Sequence, residues 1–181
     1  MSEEEKTTLV PAEAAGGKEP SLAKVVASLA GAISHPEFPS GDLAGLRRLQ
    51  PDTRLAPAFW RLLVNRVPEG MRRSEETEQR WAVLMQAMAV MAPNVHAPGR
   101  GLGMVLAEFN RDSLEQRMLH LLRSRGRQLE DQLRLMARLL ASQAEPVNWV
   151  SLAWLVLSDD ETMRQKICHA IARDYYQAAA R

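Results

Sequence analysis

Apolar positions recur at helical spacing along most of the chain, and the pattern breaks at Pro, Gly and groups of capping residues. Leu22, Val25, Val26, Leu29 and Ile33 form one stripe behind Ser21, a suitable N-cap, and His35-Pro36-Glu37-Phe38-Pro39 ends it. Gly41-Asp42 opens a short helix over Leu43 to Leu49. Pro57 suits an early helical position ahead of Ala58 to Asn65, because its fixed φ is helical and its missing N–H needs no partner there. Ser74 with Glu75, Glu76 and Glu78 sets a cap and three carboxylates at the positive end of a helix that runs to about Ala92. After the loop from Pro93 to Gly99, a short helix covers Gly101 to Phe109.

Asp112 or Ser113 caps the next helix, which turns Leu114, Met118, Leu121 and Leu122 inward. The chain turns near Gly126, and Leu129, Leu133, Met136 and Leu140 line one face of a longer helix that Pro146 breaks. Asn148 caps a helix carrying Trp149, Leu152, Leu155 and Val156, and Asp159-Asp160-Glu161 opens the last, to about Tyr176. The pattern predicts about nine helices with short connections and no strand: an all-α helical bundle, with two small lobes as the most that the length allows. Residues 1–20 contain three Glu near the start, Pro11, Gly16-Gly17 and Pro20, and read as a disordered acidic tail ahead of a helical domain over 21–181.

Composition agrees with helix. Ala and Leu together number 49, against 15 for Ile and Val, so helix formers dominate and strand formers are scarce. A single Cys, Cys168, excludes a disulfide framework and a zinc finger and fits a reducing compartment. The start of the chain lacks the apolar run of a signal peptide. The longest uncharged stretch, Trp81 to Gly99, has a dense part of 12 residues, short of the ~20 that a spanning helix needs. A cytoplasmic protein without a membrane contact is expected.

Catalytic arrangements are missing from the pattern. His35, His96, His120 and His169 show no HxxxH or ExxH spacing, so no metal site is expected. Cys168 precedes His169 directly, which turns the two side chains to different sides of a helix, and a small core Cys is the simpler reading. Gly99-Arg100-Gly101-Leu102-Gly103 lacks both the P-loop pattern and a preceding strand. A hydrolase built on His120 would need an ordered acid or thiol beside it, and none stands at a suitable spacing. No cofactor is expected, and the chain reads as a non-enzyme.

Charge distribution changes the picture. Net charge is +1, yet residues 38–140 carry sixteen bases, all Arg, and eleven acids, flanked by net-negative ends. Arg presents a planar fork that matches phosphate oxygens in pairs. Between Gln116 and Leu129 there is no acid, while Arg117, Arg123, Arg125 and Arg127 are present. Arg127, Arg134 and Arg138 share one side of their helix, flanking the apolar stripe, with Asp131 among them. Arg47 and Arg48 form a further pair. Phe59, Trp60, Trp81, Trp149 and Trp154 fall on apolar faces and read as core, so base stacking is not expected. Backbone contact by Arg without base readout remains.

Several stretches, in order, resemble the small subunit of the type I-E CRISPR Cascade complex, the CasB family. Gly41-Asp42-Leu43-Ala44-Gly45-Leu46-Arg47-Arg48 is similar to its early LRR segment, and Ala58-Phe59-Trp60-Arg61-Leu62 to its aromatic AFYRL helix. Gly101-Leu102-Gly103-Met104-Val105-Leu106-Ala107 is similar to its SLGxALA element, and Gln116 to Arg123 to the helix that follows. Arg138-Leu139-Leu140 with Glu145-Pro146-Val147-Asn148-Trp149, and Ile171-Ala172-Arg173-Asp174-Tyr175-Tyr176, resemble its later segments. Asn148 replaces the usual acid before Trp, and Ser158 and Ile171 stand where Trp is common.

The resemblance implies a non-catalytic subunit present in more than one copy. Its implied partners are other Cascade subunits, CRISPR guide RNA, and the target and displaced DNA strands, whose R-loop it holds open through basic residues. Sequence is then read by base pairing. Carried over by position, Arg48 matches the basic LRR position and Arg100 the basic loop before the SLG element. Arg123, Arg134 and Arg138 match its basic helices, and Arg164 and Lys166 fall near its C-terminal basic cluster. The competing reading is a helical protein–protein adaptor whose Arg residues meet carboxylates and touch no nucleic acid.

Overall fold

The computed structural model describes residues 20–50, 54–109 and 111–181. Among the described residues there are nine α-helices: α1 (Leu22–Ser34), α2 (Ser40–Arg47), α3 (Pro57–Arg66), α4 (Glu75–Met91), α5 (Leu102–Glu108), α6 (Asp112–Arg123), α7 (Gly126–Ser142), α8 (Trp149–Leu157) and α9 (Glu161–Ala179). A 3-10 turn, Glu69–Met71, leads into α4. The only extended pairing described is an isolated bridge between His96 and Val147. The all-α expectation holds. The expected tail lies outside the described residues, save Pro20.

Local chemistry sets the helix ends. Ser21 accepts from the Lys24 N–H, Ser74 from Thr77, Asn148 from Val150, and Asp160 from both Thr162 and Met163, so four of the expected caps operate. Most helix ends shift by one to three residues from expectation, α9 running on to Ala179. α2 starts at Ser40 and ends at Arg47, and α6 starts at Asp112 itself with Arg111 in the cap position and no side-chain cap bond. Gly126 begins α7 at φ +51°, a left-handed conformation that suits a residue without Cβ.

One cluster of buried residues runs from Leu22 to Tyr175 and draws on all nine described helices. Its centre is α4, whose residues Trp81 to Met85 are all fully buried. The Trp81 indole N–H donates to the Met71 carbonyl at 2.7 Å, which satisfies the one polar atom of that ring. Trp149 is buried as expected and Trp154 is half-buried, but Trp60 corrects the expectation: it lies on the outer side of α3 and is 40% exposed, stacked edge-on against buried Phe59 at 5.1 Å.

α5 and α9 make the closest helix pair. A Cβ added at Gly103 would stand 2.1 Å from the Ile171 carbonyl oxygen and 2.7 Å from the Tyr175 nitrogen. Only glycine admits this backbone-to-backbone approach. The loop between α4 and α5 is tied to the loop before α8. Ala97 N–H donates to Val147, Asn148 N–H to the Arg100 carbonyl, and the Asn148 amide to Pro98. Trp149 N–H donates to Nδ1 of His96, and burial holds this imidazole below its ordinary pKa, in the neutral form the bond requires.

Candidate nucleic-acid interface

Gln86 is the residue on which the cationic side is built. It is the one polar side chain in the otherwise apolar run from Trp81 to Ala92. Its Nε2 donates to the carbonyls of Leu49 (2.7 Å) and Arg47 (3.4 Å), and its Oε1 accepts from Nε of Arg134 at 2.8 Å. One amide thus pins the end of α2 and the side of α7 to α4. The sequence presents the Arg47/Arg48 pair and the Arg127/Arg134/Arg138 side as separate features; the structure brings the Arg47 carbonyl and the Arg134 guanidinium to Gln86. A buried-face Gln with fourfold hydrogen-bonding capacity was the available signal, and its place in an apolar helix hid it.

The eleven candidate cations separate by what they already hold. Arg48, Arg117, Arg123, Arg138 and Lys166 are exposed and make no hydrogen bond or ion pair among the described residues. Arg127 is exposed in the first turn of α7 and has an internal interaction as well. Arg117 and Arg123 lie on the outer side of α6, and His120 between them meets Gln128 of α7 at 3.0 Å. α2 packs on α4, α4 on α7, α7 on α6, and α6 on α9, so the exposed cations occupy a run of adjoining helices.

Arg47 and Arg134 are framework. Arg47 donates from Nε to the Ala89 carbonyl (2.9 Å) and from Nη2 to Ala92, neutralising the orphan carbonyls at the end of α4. Arg134, besides Gln86, pairs with Asp131 at 2.8 Å and with Glu130 at 3.6 Å, so two carboxylates offset its charge. Arg125 donates to the carbonyls of Leu122, Arg123 and Ser124 and pairs with Glu161 at 2.9 Å. Arg100 bridges Glu108 (2.8 Å) and Glu145 (2.7 Å), clasping its loop to α5 and to the turn after α7.

Arg164 requires a correction. Expected near a phosphate-facing cluster, it is 4% exposed, with Nη1 on the Leu155 carbonyl (3.0 Å) and Nη2 on those of Leu122 (3.2 Å) and Ser124 (2.6 Å). Its guanidinium sits where α6 and α8 end, and the negative ends of both helices favour a cation there. Burial, with neighbouring Arg125, pulls its pKa below the ordinary Arg value. Lys166, two residues on, faces solvent. Outside the eleven candidates, the exposed cations among the described residues are Lys24, Arg61, Arg66, Arg73, Arg111, Arg173 and Arg181.

Cys168 is half-buried against the Leu122 carbonyl, and burial raises its thiol pKa, the opposite of a reactive thiolate. Among the described residues no three His, Cys, Asp or Glu side chains gather as a metal site would require. No helix among them is long and apolar enough to cross a membrane.

With this geometry, comparison with known proteins is informative. The family model for the CRISPR-associated protein Cse2 matches residues 42–176. No curated protein matches in sequence. Among solved structures, a chain of the E. coli Cascade bound to a PAM-containing double-stranded DNA target is 23% identical, with a TM-score of 0.62 over 85% of this chain and 95% of that one. CasB from Thermobifida fusca is 19% identical, with a TM-score of 0.64 over 86% of this chain and 95% of its own. These likenesses establish a shared fold, and the matched span holds Gln86, Gly103 and every candidate cation. The chain belongs to the CRISPR-associated Cse2 family.

Proposed function

We propose that this chain is a non-catalytic subunit of an RNA-guided CRISPR surveillance complex. In this reading it grips nucleic-acid backbone through Arg48, Arg127 and Arg138 on one side and Arg117 and Arg123 on α6. The observation that supports it is the Gln86 junction, which ties the Arg47 carbonyl at the end of α2 and the Arg134 guanidinium of α7 to one side chain of α4. Arg48, Arg117, Arg123 and Arg138 are exposed with no carboxylate partner among the described residues, which suits contact with phosphate oxygens and reads no base. Lys166 extends the cationic run onto α9. Arg47, Arg100, Arg125, Arg134 and Arg164 hold helix ends and loops in place and act as positioning residues.

The partners in this reading are the other Cascade subunits, further copies of this chain, the guide RNA, and the target and displaced DNA strands. Guide pairing supplies sequence choice, and the Arg residues add a term that is nearly the same for every target. Co-expression with the remaining complex subunits and a guide RNA tests the assignment. The chain should co-purify with the RNA-containing complex through successive columns, and target-bound R-loops should weaken when it is omitted. A complex that assembles without it and holds its R-loop equally well would overturn the proposal. Normal assembly with R-loops indifferent to the exposed Arg residues would favour the protein–protein adaptor.

A further inference from the structure

Tyr176 places an open aromatic ring beside the cations of α6. It lies on the outer side of α9 and is 47% exposed. Its hydroxyl donates to Oε1 of Glu115 on α6 at 2.8 Å. Its ring meets that of Tyr175 edge-on, with centroids 5.3 Å apart and planes at 88°. The side chain is thus held at two points while much of the ring faces solvent. The Glu115 hydrogen bond raises the phenol pKa, so the ring carries no charge near neutral pH.

α6 and α9 lie antiparallel along this side. Glu115, in the first turn of α6, meets Tyr176 near the end of α9, and the Leu122 carbonyl, at the other end of α6, meets Arg164 and Cys168. Arg123 follows Leu122, is exposed, and pairs with no carboxylate among the described residues. Its charge reaches Tyr176 and opposes part of the rise in the phenol pKa. Along α6 the step from Glu115 to Arg123 is about 12 Å. Leu119, one turn from each, and Ala172, one turn from Tyr176 and from Cys168, are half-buried against the core and give the seam an apolar floor. Glu115, engaged by the Tyr176 hydroxyl, stands at the ring end of the seam, away from the guanidinium. An open ring, an apolar floor and a cation at the far end suit a nucleotide, whose base needs a flat apolar surface and whose phosphate needs a cation.

We propose that Tyr176 stacks an unpaired base of a single strand whose backbone phosphate meets Arg123. The inference rests on the reading above that this chain grips nucleic-acid backbone, and it adds the kind of strand: only an unpaired base offers its face to a ring. Every base has such a face, so the stack adds affinity without reading sequence.

Fluorescence anisotropy with the full chain tests this. The probes are a labelled single-stranded DNA and a strand of the same length and charge whose residues are abasic. The unaltered chain should bind the base-bearing strand about fivefold more tightly, the low end for one stacked base, since the ring is only half open. Tyr176→Leu should bring the two probes to parity without changing the salt slope, while Tyr176→Phe, which keeps the ring and loses the Glu115 bond, should retain most of the difference. Arg123→Ala should instead lower the slope by about 0.7 on both probes. Circular dichroism confirms equal helix content in the variants. Competition by a single-stranded RNA of the same length shows whether the base is taken from RNA as well as DNA, and either source supports the stack when Tyr176→Leu removes the preference over the abasic strand. Equal binding of both probes by the unaltered chain, with a steep salt slope, overturns this inference and leaves the backbone grip standing. A preference that survives Tyr176→Leu also overturns it, since another group would then hold the base. Binding of neither probe overturns the inference and the backbone grip together.

Discussion

Replacing Gly103 by Ala would put a methyl group inside the contact between α5 and α9. The added carbon would meet the Ile171 oxygen at 2.1 Å, the Tyr175 nitrogen at 2.7 Å and the Asp174 Cβ at 3.2 Å. Carbon–oxygen contacts close no nearer than about 3.3 Å even when favourable, so the helices must part by about 1 Å. The first two obstacles are backbone atoms of a long, well-packed helix and cannot swing aside as a side chain would. Overpacking of this kind costs about 1–3 kcal/mol, and the backbone clash sets the upper end. Ala recovers about 1 kcal/mol through its better helix propensity. A net loss of about 2 kcal/mol corresponds to roughly 4–8 °C in Tm for a chain of this size. Thermal unfolding followed by circular dichroism at pH 7.5 measures it. A Tm equal to or above that of the unaltered protein would show that α5 and α9 are not in backbone contact.

Arg164→Met should strand the carbonyls of Leu155, Leu122 and Ser124, at about 1–3 kcal/mol for an unsatisfied buried group, and lower Tm more than any exposed Arg replacement. A mild effect on Tm with a large effect on nucleic-acid binding would contradict the structural role assigned here. Gln86→Leu keeps the volume and removes the junction; a drop in stability of about 1–3 kcal/mol is expected, and no change on denaturant unfolding would show that the three bonds are dispensable. His96 has a lowered pKa in the fold, so the unfolded chain binds more protons as pH falls below the ordinary value of 6.5. Its stability contribution is complete above that pH and declines below it. Tm measured between pH 7.5 and 5 should fall, and His96→Asn should flatten the fall; parallel curves would refute it.

The helices were legible because their signals are local. Ser21, Ser74, Asn148 and Asp160 each satisfy backbone N–H groups within three residues, and the stripe from Leu129 to Leu140 needs no distant partner to declare its face. Trp60 misled because its neighbours Phe59, Leu62 and Leu63 are core, and an aromatic in such company reads as buried; only the packing of α1, α2 and α4 around α3 decides which side is left open. Exposure of Arg138 followed from helix phase, since its side flanks the apolar stripe of α7. The internal duties of Arg47, Arg100, Arg125, Arg134 and Arg164 did not, because each partner lies on another element or at a helix end. Charge counts treat all Arg alike, whereas helix-end carbonyls such as those of Ala89, Ala92 and Ser124 claim guanidinium groups without any charged residue in the sequence to announce it.

The salt dependence of nucleic-acid binding tests the central claim most directly. The assembled complex is compared with one carrying Arg48→Ala, Arg117→Ala, Arg123→Ala and Arg138→Ala in this chain, all at exposed positions, the last three within helices that Ala preserves. Each lost phosphate contact should reduce the steepness of log affinity against log salt by about 0.7 on single strands or about 0.9 on duplex. The account predicts a slope shallower by up to about 3 units on single strands, with a similar loss for unrelated target sequences. An unchanged slope in a fully assembled complex would show that these Arg residues touch no phosphate, and the cationic face would be a solvated surface.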